Sequence, residues 1–497
     1  MSRLKTTSLN DLGRGVGNYG ATVGRLDAVV VGSGPNGLAG ALTLARSGHR
    51  VVVYEGAATL GGGCRTAELT LPGFHHDVCS AVHPLVLASP FFRSVDLAGL
   101  GVKLLSPPVA FAHPLDGGRA AAVRGSVEET AGSFGADAKA YRRLFDPLVP
   151  GISKVVPTIL GPLRSPPAHP VAMARLGLPG LLPASWVARL FKTDEARALL
   201  AGAAAHSLLS LDQALTGSFA LLFVALGHTY GWPVVEGGSA RLVDALVEEL
   251  ASMGGEAHAG RWVKGLDELA GAEVVLMDVS PRQLADFVGV RATPSYRRGL
   301  ERYRYGPGVC KVDWALRGPV PWEAAVCRET ATLHVGGTFE QVAAAEAEVA
   351  AGRHPDRPFC IVAQPGVVDS SRAPGGQHTL WAYCHVPAGS RTDMTDRIEA
   401  QIERFAPGFR DVVISRVCQT AAGTAEANPN HVGGDISGGM ATLRQTIFRP
   451  TVRWDNYGTG VPGVYLCSAS SPPGGGVHGM CGYWAARTAL KDLARRG

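Results

Sequence analysis

Gly32, Gly34 and Gly37 stand at the spacing G-x-G-x-x-G in the run VVVGSGPNGLAGALTLA. That spacing gives the backbone a chemistry that side chains would block. The first glycine allows a tight turn, the second a close approach to a pyrophosphate, and the third close packing of helix on strand. Ser33, Pro35 and Asn36 fill the intervening places and are counted with the turn. Glu55 ends the run VVVYE, roughly the ~20-residue spacing of a carboxylate that grips a ribose. A helix opening after the turn points free N–H groups and positive dipole at the phosphates. The spacing alone is common; closed by a carboxylate between two strands, it specifies a dinucleotide site.

The elements that must hold these residues are legible around them. Asp27–Val31 is a continuous apolar run and reads as a buried strand. Leu38, Ala41, Leu42 and Ala45 recur at helical spacing, so one face packs back on the sheet, and Gly48 stops the helix. Val51–Tyr54 is the second strand. Gly61, Gly62 and Gly63 follow, with Arg65 close behind; taken alone they are either an ordinary loop or a second nucleotide-contacting turn.

Composition narrows the class. The 497 residues suffice for two or three domains, 46% are hydrophobic and only 18% charged. A formal charge of +5 without a basic block argues against nucleic acid as a partner. Nine cysteines without a C-x-x-C pair suggest neither a zinc site nor a disulfide framework, so no metal is expected and a reduced cytoplasm fits. Residues 1–26 are polar and glycine-rich and read as a flexible leader. Phe219–Leu226 is too short to cross a bilayer, and the 171–191 region is cut by Pro179, Pro183, Arg175 and Arg189.

Further along, Asp77, Ser80 and His83 sit in HHDVCSAVHPL, either an active-site wall or a packed loop. From Ser106 to Trp232 the pattern becomes Ala- and Leu-rich helices with proline joints; Thr193 is placed to cap one of them. Ala272–Val279 reads as a further parallel strand. Val309–Leu316, Ala331–Val335, Phe359–Ala363 and Thr379–Val386 read as antiparallel strands. Arg397–Arg404 reads as an amphipathic helix with its charges outward. Near the end, SASSPPGGGVHGMCG carries three glycines into a helix that begins near Tyr483.

From residue 27 to 497 the pattern resembles the phytoene-desaturase-like flavoproteins, within them the branch named for pyridine nucleotide-disulphide oxidoreductase domains. The motifs are VVVGSGPNGLAGALTLARSGHRVVVYE, HHDVCSAVHPL, NPNHVGGDI and PPGGGVHGMCGYWAA. The resemblance implies an α/β fold: a Rossmann-type FAD-binding domain (27–105, 229–300 and 433–497) with an inserted helical and antiparallel-sheet substrate domain (106–228 and 301–432). It implies FAD as cofactor, touched by Gly61, Gly62, Gly63 and Arg65, by Val263 over the adenine in a strand, and by Gly475, Gly476 and Val477 beside the flavin ring. Two departures stand out: Gly63 replaces the family's arginine, and Ser468-Ala469-Ser470 replaces a G-x-G. Disulfide reduction is disfavoured, because Cys64 and Cys79 are too far apart in sequence to suggest a pair.

The implied reaction is desaturation, saturation or isomerisation at a carbon–carbon bond of an apolar, isoprenoid- or acyl-like substrate, with the redox chemistry belonging to the flavin. The alternatives are a FAD-bound interaction protein with a structural flavin, and an amine oxidase. His478 and His83 are the candidate proton carriers, since imidazole titrates near neutral pH. The 171–191 stretch reads equally as a peripheral membrane contact or an internal lid. Oligomeric state is not legible.

Overall fold

The computed structural model describes residues 27–162 and 166–496, so the leader lies outside the described residues. Five parallel strands form one sheet in the order Val464–Leu466, Val274–Met277, Ala28–Val31, Val51–Tyr54, Glu256–His258. Ala28–Val31 lies at its centre, paired with Val51–Tyr54 on one side and Val274–Met277 on the other. All four of its residues are buried, as a strand covered on both faces requires. The helix Pro35–Ala45 packs over it with Leu38, Ala41 and Leu42 fully buried. Each leucine so buried contributes about 1.5–3 kcal/mol. The C-terminal helix Met480–Leu493 lies against the same helix, and Gly40 and Gly482 make the contact close.

A second sheet of seven strands runs in the order Val413–Gln419, Gly308–Leu316, His378–Val386, Cys360–Ala363, Thr332–Val335, Phe111–Leu115, Arg119–Val123. Its long central pair, Gly308–Leu316 with His378–Val386, is antiparallel over nine residue pairs. One face packs on the helix Thr395–Phe405; the other carries Lys311, Asp313, Thr332, Ile361, Ala363, Trp381 and Tyr383, brought into rows by the register.

Two expectations are corrected. The segment after Ser106 opens with a β-hairpin, not a helix: the three-residue loop 116–118 joins its strands, and Gly117 and Gly118 take φ +77° and +68°, positive values that glycine adopts without strain. The alanines of RAAAV had read as helical, but sheet burial overrides their propensity. In Thr395–Phe405, Glu399 does not face outward; it is 1% exposed and accepts hydrogen bonds from Trp314 Nε1 (3.0 Å) and Arg416 (2.7 Å). Cys310 and Cys418, distant in sequence, bring their sulfurs within 3.6 Å on neighbouring strands. This pair lies on the helix-packed side of the sheet, away from the cavity described below. Thr193 does cap Asp194–Ala205, its hydroxyl accepting from Ala196 N–H.

Candidate active site

The glycine turn between the first strand and helix is shaped by backbone contact. A Cβ on Gly37 would lie 2.1 Å from Gly32 O, which no side chain tolerates. Gly34 caps the helix in extended conformation, with Pro35 as its first residue. Ser33 ties the cradle together: its N–H and hydroxyl donate to Glu55 Oε2 (2.9 and 2.7 Å), and its oxygen accepts from Gly61 N–H (2.9 Å). Glu55 thus arrives beside the turn with its second oxygen bonded to Ala57 N–H and lone pairs to spare. Asn36 is buried and its Oδ1 has no partner. Gly62 approaches Gly34 closely, and Arg65 Nε donates to Gly62 O (2.8 Å), fixing the second turn.

Gly32, Gly34, Pro35, Asn36, Glu55, Gly62, Gly63 and Arg65 line one cavity of about 1060 Å³. Val263, Gly475, Gly476 and Val477 line it too. Val263 is buried but not in a strand; it follows the strand Glu256–His258 in irregular backbone, which corrects that expectation. Gly476 takes φ +119°, turning the chain back toward the helix Met480–Leu493. Ser33, Gly37 and Gly61 stand behind the cavity wall rather than in it.

The two candidate histidines differ. His83 lines the cavity, is buried, and bonds Ser239 Oγ through Nε2 (2.9 Å) while Nδ1 has no partner. His478 spends both nitrogens on backbone: Nε2 lies 3.2 Å from Gly474 O and Nδ1 accepts from Met480 N–H (3.0 Å). That geometry gives His478 the work of holding the glycine turn. Burial lowers both imidazoles to about 4, so each is neutral at pH 7. Asp77, expected in the wall, is instead spent behind it, accepting from Arg372 (2.8 Å), Ser239 N–H and Thr66.

Asp278 and the pair Lys311 and Asp313 were not singled out from sequence. Asp278 ends the strand Val274–Met277 and accepts the Gly37 N–H at 3.0 Å, at the mouth of the helix. Desolvation raises its carboxyl to about 7. Lys311 and Asp313 alternate on the apolar strand Gly308–Leu316, so both face inward; Lys311 Nζ lies 2.6 and 2.5 Å from the Asp313 oxygens and over the Trp381 ring. Lys311 lines a recess beside the cavity with Arg65, Cys79, Tyr383 and His431. The signal was available: K-x-D inside an otherwise apolar strand puts two charges on one face.

The cradle fits a dinucleotide: backbone donors, an unpartnered buried Asn36 Oδ1, and a carboxylate converge where glycines leave room. A family described as NAD(P)-binding Rossmann-like domain matches residues 30–92. Pyridine nucleotide-disulfide oxidoreductase domain-containing protein 2 of Rattus norvegicus is 25% identical, over 94% of each chain. The glycine turn and its flanking strands are thus a Rossmann-like dinucleotide-binding unit, and the chain along its length is similar to oxidoreductases of that kind. The 4,4'-diapolycopen-4-al dehydrogenase of Metabacillus indicus is 29% identical over 25% of this chain and 26% of its own. A putrescine oxidase triple variant superimposes with a TM-score of 0.59 at 17% identity, covering 94% of this chain and 99% of that one, a likeness of fold. The glycines, backbone donors and carboxylate just described could hold the dinucleotide cofactor of such an oxidoreductase.

Proposed function

We propose that this flavoenzyme transforms a carbon–carbon bond of an apolar, isoprenoid- or acyl-like substrate, by desaturation, saturation or isomerisation. One observation carries the reading. Beyond the cofactor turns the cavity extends into an arm walled by Leu160, Met173, Leu176, Phe219, Leu222 and Phe223, and among the described residues between 159 and 232 no Asp, Glu, Lys or Arg lines it. The charged lining residues, Glu55, Arg65, Arg261, Asp278, Glu426 and Arg449, all belong to other segments. Phe219, Leu222 and Phe223 recur at i, i+3 and i+4 on the helix Thr216–Tyr230, so one helix face makes much of the wall. An apolar guest is held there by about 25 cal/mol per Å² of buried surface, without an ionic anchor.

FAD supplies the electron exchange; the chain excludes water from the arm and holds the reacting carbon. His83, a neutral imidazole whose buried Nδ1 has no partner, lines the cavity and is the side chain proposed to accept a proton. Lys311, held by both oxygens of Asp313 and lying over the Trp381 ring, fixes the polar edge of the site. A second reading, amine oxidation, draws on the stacked Trp381 and Tyr383 rings, 5.7 Å apart at 19°. The Lys311 ammonium already lies 5.5 Å from the Trp381 ring, which disfavours a second cation there.

Leu222→Asp tests the arm. Burying an unpaired carboxylate costs several kcal/mol, so turnover of an apolar substrate should fall at least about hundredfold while the FAD content stays at one per chain. Unchanged turnover would remove the arm from the substrate path.

The arm also suggests an entrance. Pro170–Gly180 and Ala184–Leu190 meet at 96°, and among the described residues no single helix is long and apolar enough to cross a membrane. Leu178, Leu182, Trp186 and Leu190 are exposed on this bend, while Met173, Leu176 and Leu181 line the cavity. With Arg175 and Arg189 beside them, these side chains suit peripheral contact with an anionic bilayer. The protein should float with anionic vesicles, and Trp186→Glu with Leu190→Glu should release it; equal flotation of the variant would leave the bend as an internal lid.

A further inference from the structure

In the apolar arm the wall ceases to be pure hydrocarbon at one place. Ser207 and Thr332 both line the cavity, are 4% and 2% exposed, and their hydroxyl oxygens have no hydrogen-bond partner. His206, which precedes Ser207 at the end of the helix Asp194–Ala205, lines it as well. Its Nε2 lies 2.8 Å from Nε2 of His334, two residues from Thr332 on the same face of the strand Thr332–Val335. The Trp232 ring packs on both imidazoles, at 5.5 and 5.8 Å. In the sheet register Thr332 opposes Ala363, and Ala363 opposes Trp381, whose Nε1 is also buried without a partner. A row of the cavity floor thus carries two unpaired polar groups flanking one small alanine.

Buried polar groups are normally hydrogen-bonded, and each orphan weakens the fold unless a ligand completes it. Three orphans along one apolar cavity, Ser207 Oγ, Thr332 Oγ1 and Trp381 Nε1, are a pattern that packing alone does not explain. Lys311 and Asp313 pair with each other at the Trp381 end of the row, and among the described residues no charged side chain lines the cavity from Ser207 to Trp232. Burial and the neighbouring imidazoles lower His206 to about 3 and His334 well below its ordinary value, so both rings stay neutral. The His206–His334 hydrogen bond holds one proton that can sit on either ring. His206 therefore presents either an acceptor or a donor to whatever lies beside it.

We propose that Ser207, Thr332 and His206 form a subsite for one neutral oxygen function, a hydroxyl or a carbonyl, carried by an otherwise apolar substrate. The inference rests on the apolar-substrate reading above and narrows it: the substrate is an oxygenated chain, not a bare hydrocarbon. The oxygen end is held at the subsite, and this fixes which carbon–carbon bond along the chain reaches the flavin. A carboxylate or an ammonium is rejected, because neither finds a counter-charge there.

The experiment uses the full FAD-loaded chain titrated with decane, decanol, decanoate and decylamine, reading the flavin absorption band and the tryptophan emission. Decanol should bind about tenfold tighter than decane, the scale of one or two completed hydrogen bonds. Ser207→Ala with Thr332→Val should remove that advantage and leave decane binding unchanged, and Thr332→Ser alone should keep it. Equal binding of decane and decanol would overturn the subsite while leaving the apolar arm intact. Binding of none of the four would overturn the arm as well. Tightest binding of decanoate or decylamine would replace the neutral subsite with a charged one.

Discussion

Gly37→Val should yield a chain that cannot hold FAD, with apparent affinity weakened at least about hundredfold. The obstacle is spatial. A Cβ at this position already lies 2.1 Å from Gly32 O, and the clash is with backbone, so no rotamer relieves it. The turn must open, the Gly37 N–H leaves Asp278, and the helix N-terminus tilts away from the pyrophosphate. Glu55→Ala should cost less, about 1.5–3 kcal/mol for a hydrogen bond to a charged group, although it also frees Ser33. The ratio of flavin to protein absorbance after purification decides it. A yellow Gly37→Val protein with full FAD would show that the turn does not carry the cofactor.

Asp278 gives the second large effect, and its sign is fixed by its environment. Burial raises its carboxyl from 3.8 to about 7, with the Gly37 N–H pulling the other way and Glu55 adding to the rise. The folded value lies above the unfolded one, so the stability linked to this proton is complete below about pH 4 and is lost as pH rises through 7. The same charge sits at the helix mouth that faces the pyrophosphate, so FAD binding should weaken as pH rises from 6 to 9. One proton limits the slope to about tenfold per pH unit. Asp278→Asn keeps an acceptor for Gly37 and removes the charge. It should bind FAD more tightly at pH 9, by about tenfold or more, and flatten the profile; an unchanged profile would place the titration elsewhere.

What could be read beforehand follows from how local each signal is. The glycine turn, its helix and the two flanking strands are encoded within 30 residues, and their periods appear in the run itself. Asp278 was hidden because its partner Gly37 is 241 positions away, and a single Asp after a strand carries no pattern. His478 looked available for proton transfer because sequence shows a histidine but not the Gly474 carbonyl and Met480 amide that consume it. Asp77 looked like a wall residue for the same reason: Arg372, its buried partner, lies 295 positions later. The strand Val413–Gln419 escaped notice because it is a half-exposed edge strand with little apolar alternation. The Ala- and Leu-rich helical pattern of the 106–232 region was legible, but that its leucines and phenylalanines wall a cavity was not. The orphaned hydroxyls of Ser207 and Thr332 could be seen only once the sheet register was known.

What bleaches the flavin decides the substrate class. Under anaerobic conditions the FAD-loaded protein should be mixed rapidly with polyenes, long-chain alcohols, amines, amino acids and hydroxy acids, following the oxidised flavin band. The charge-free arm predicts bleaching by an apolar or singly oxygenated chain, with rates that change little with ionic strength. Fast bleaching by a small charged amine or acid, suppressed by salt, would contradict it.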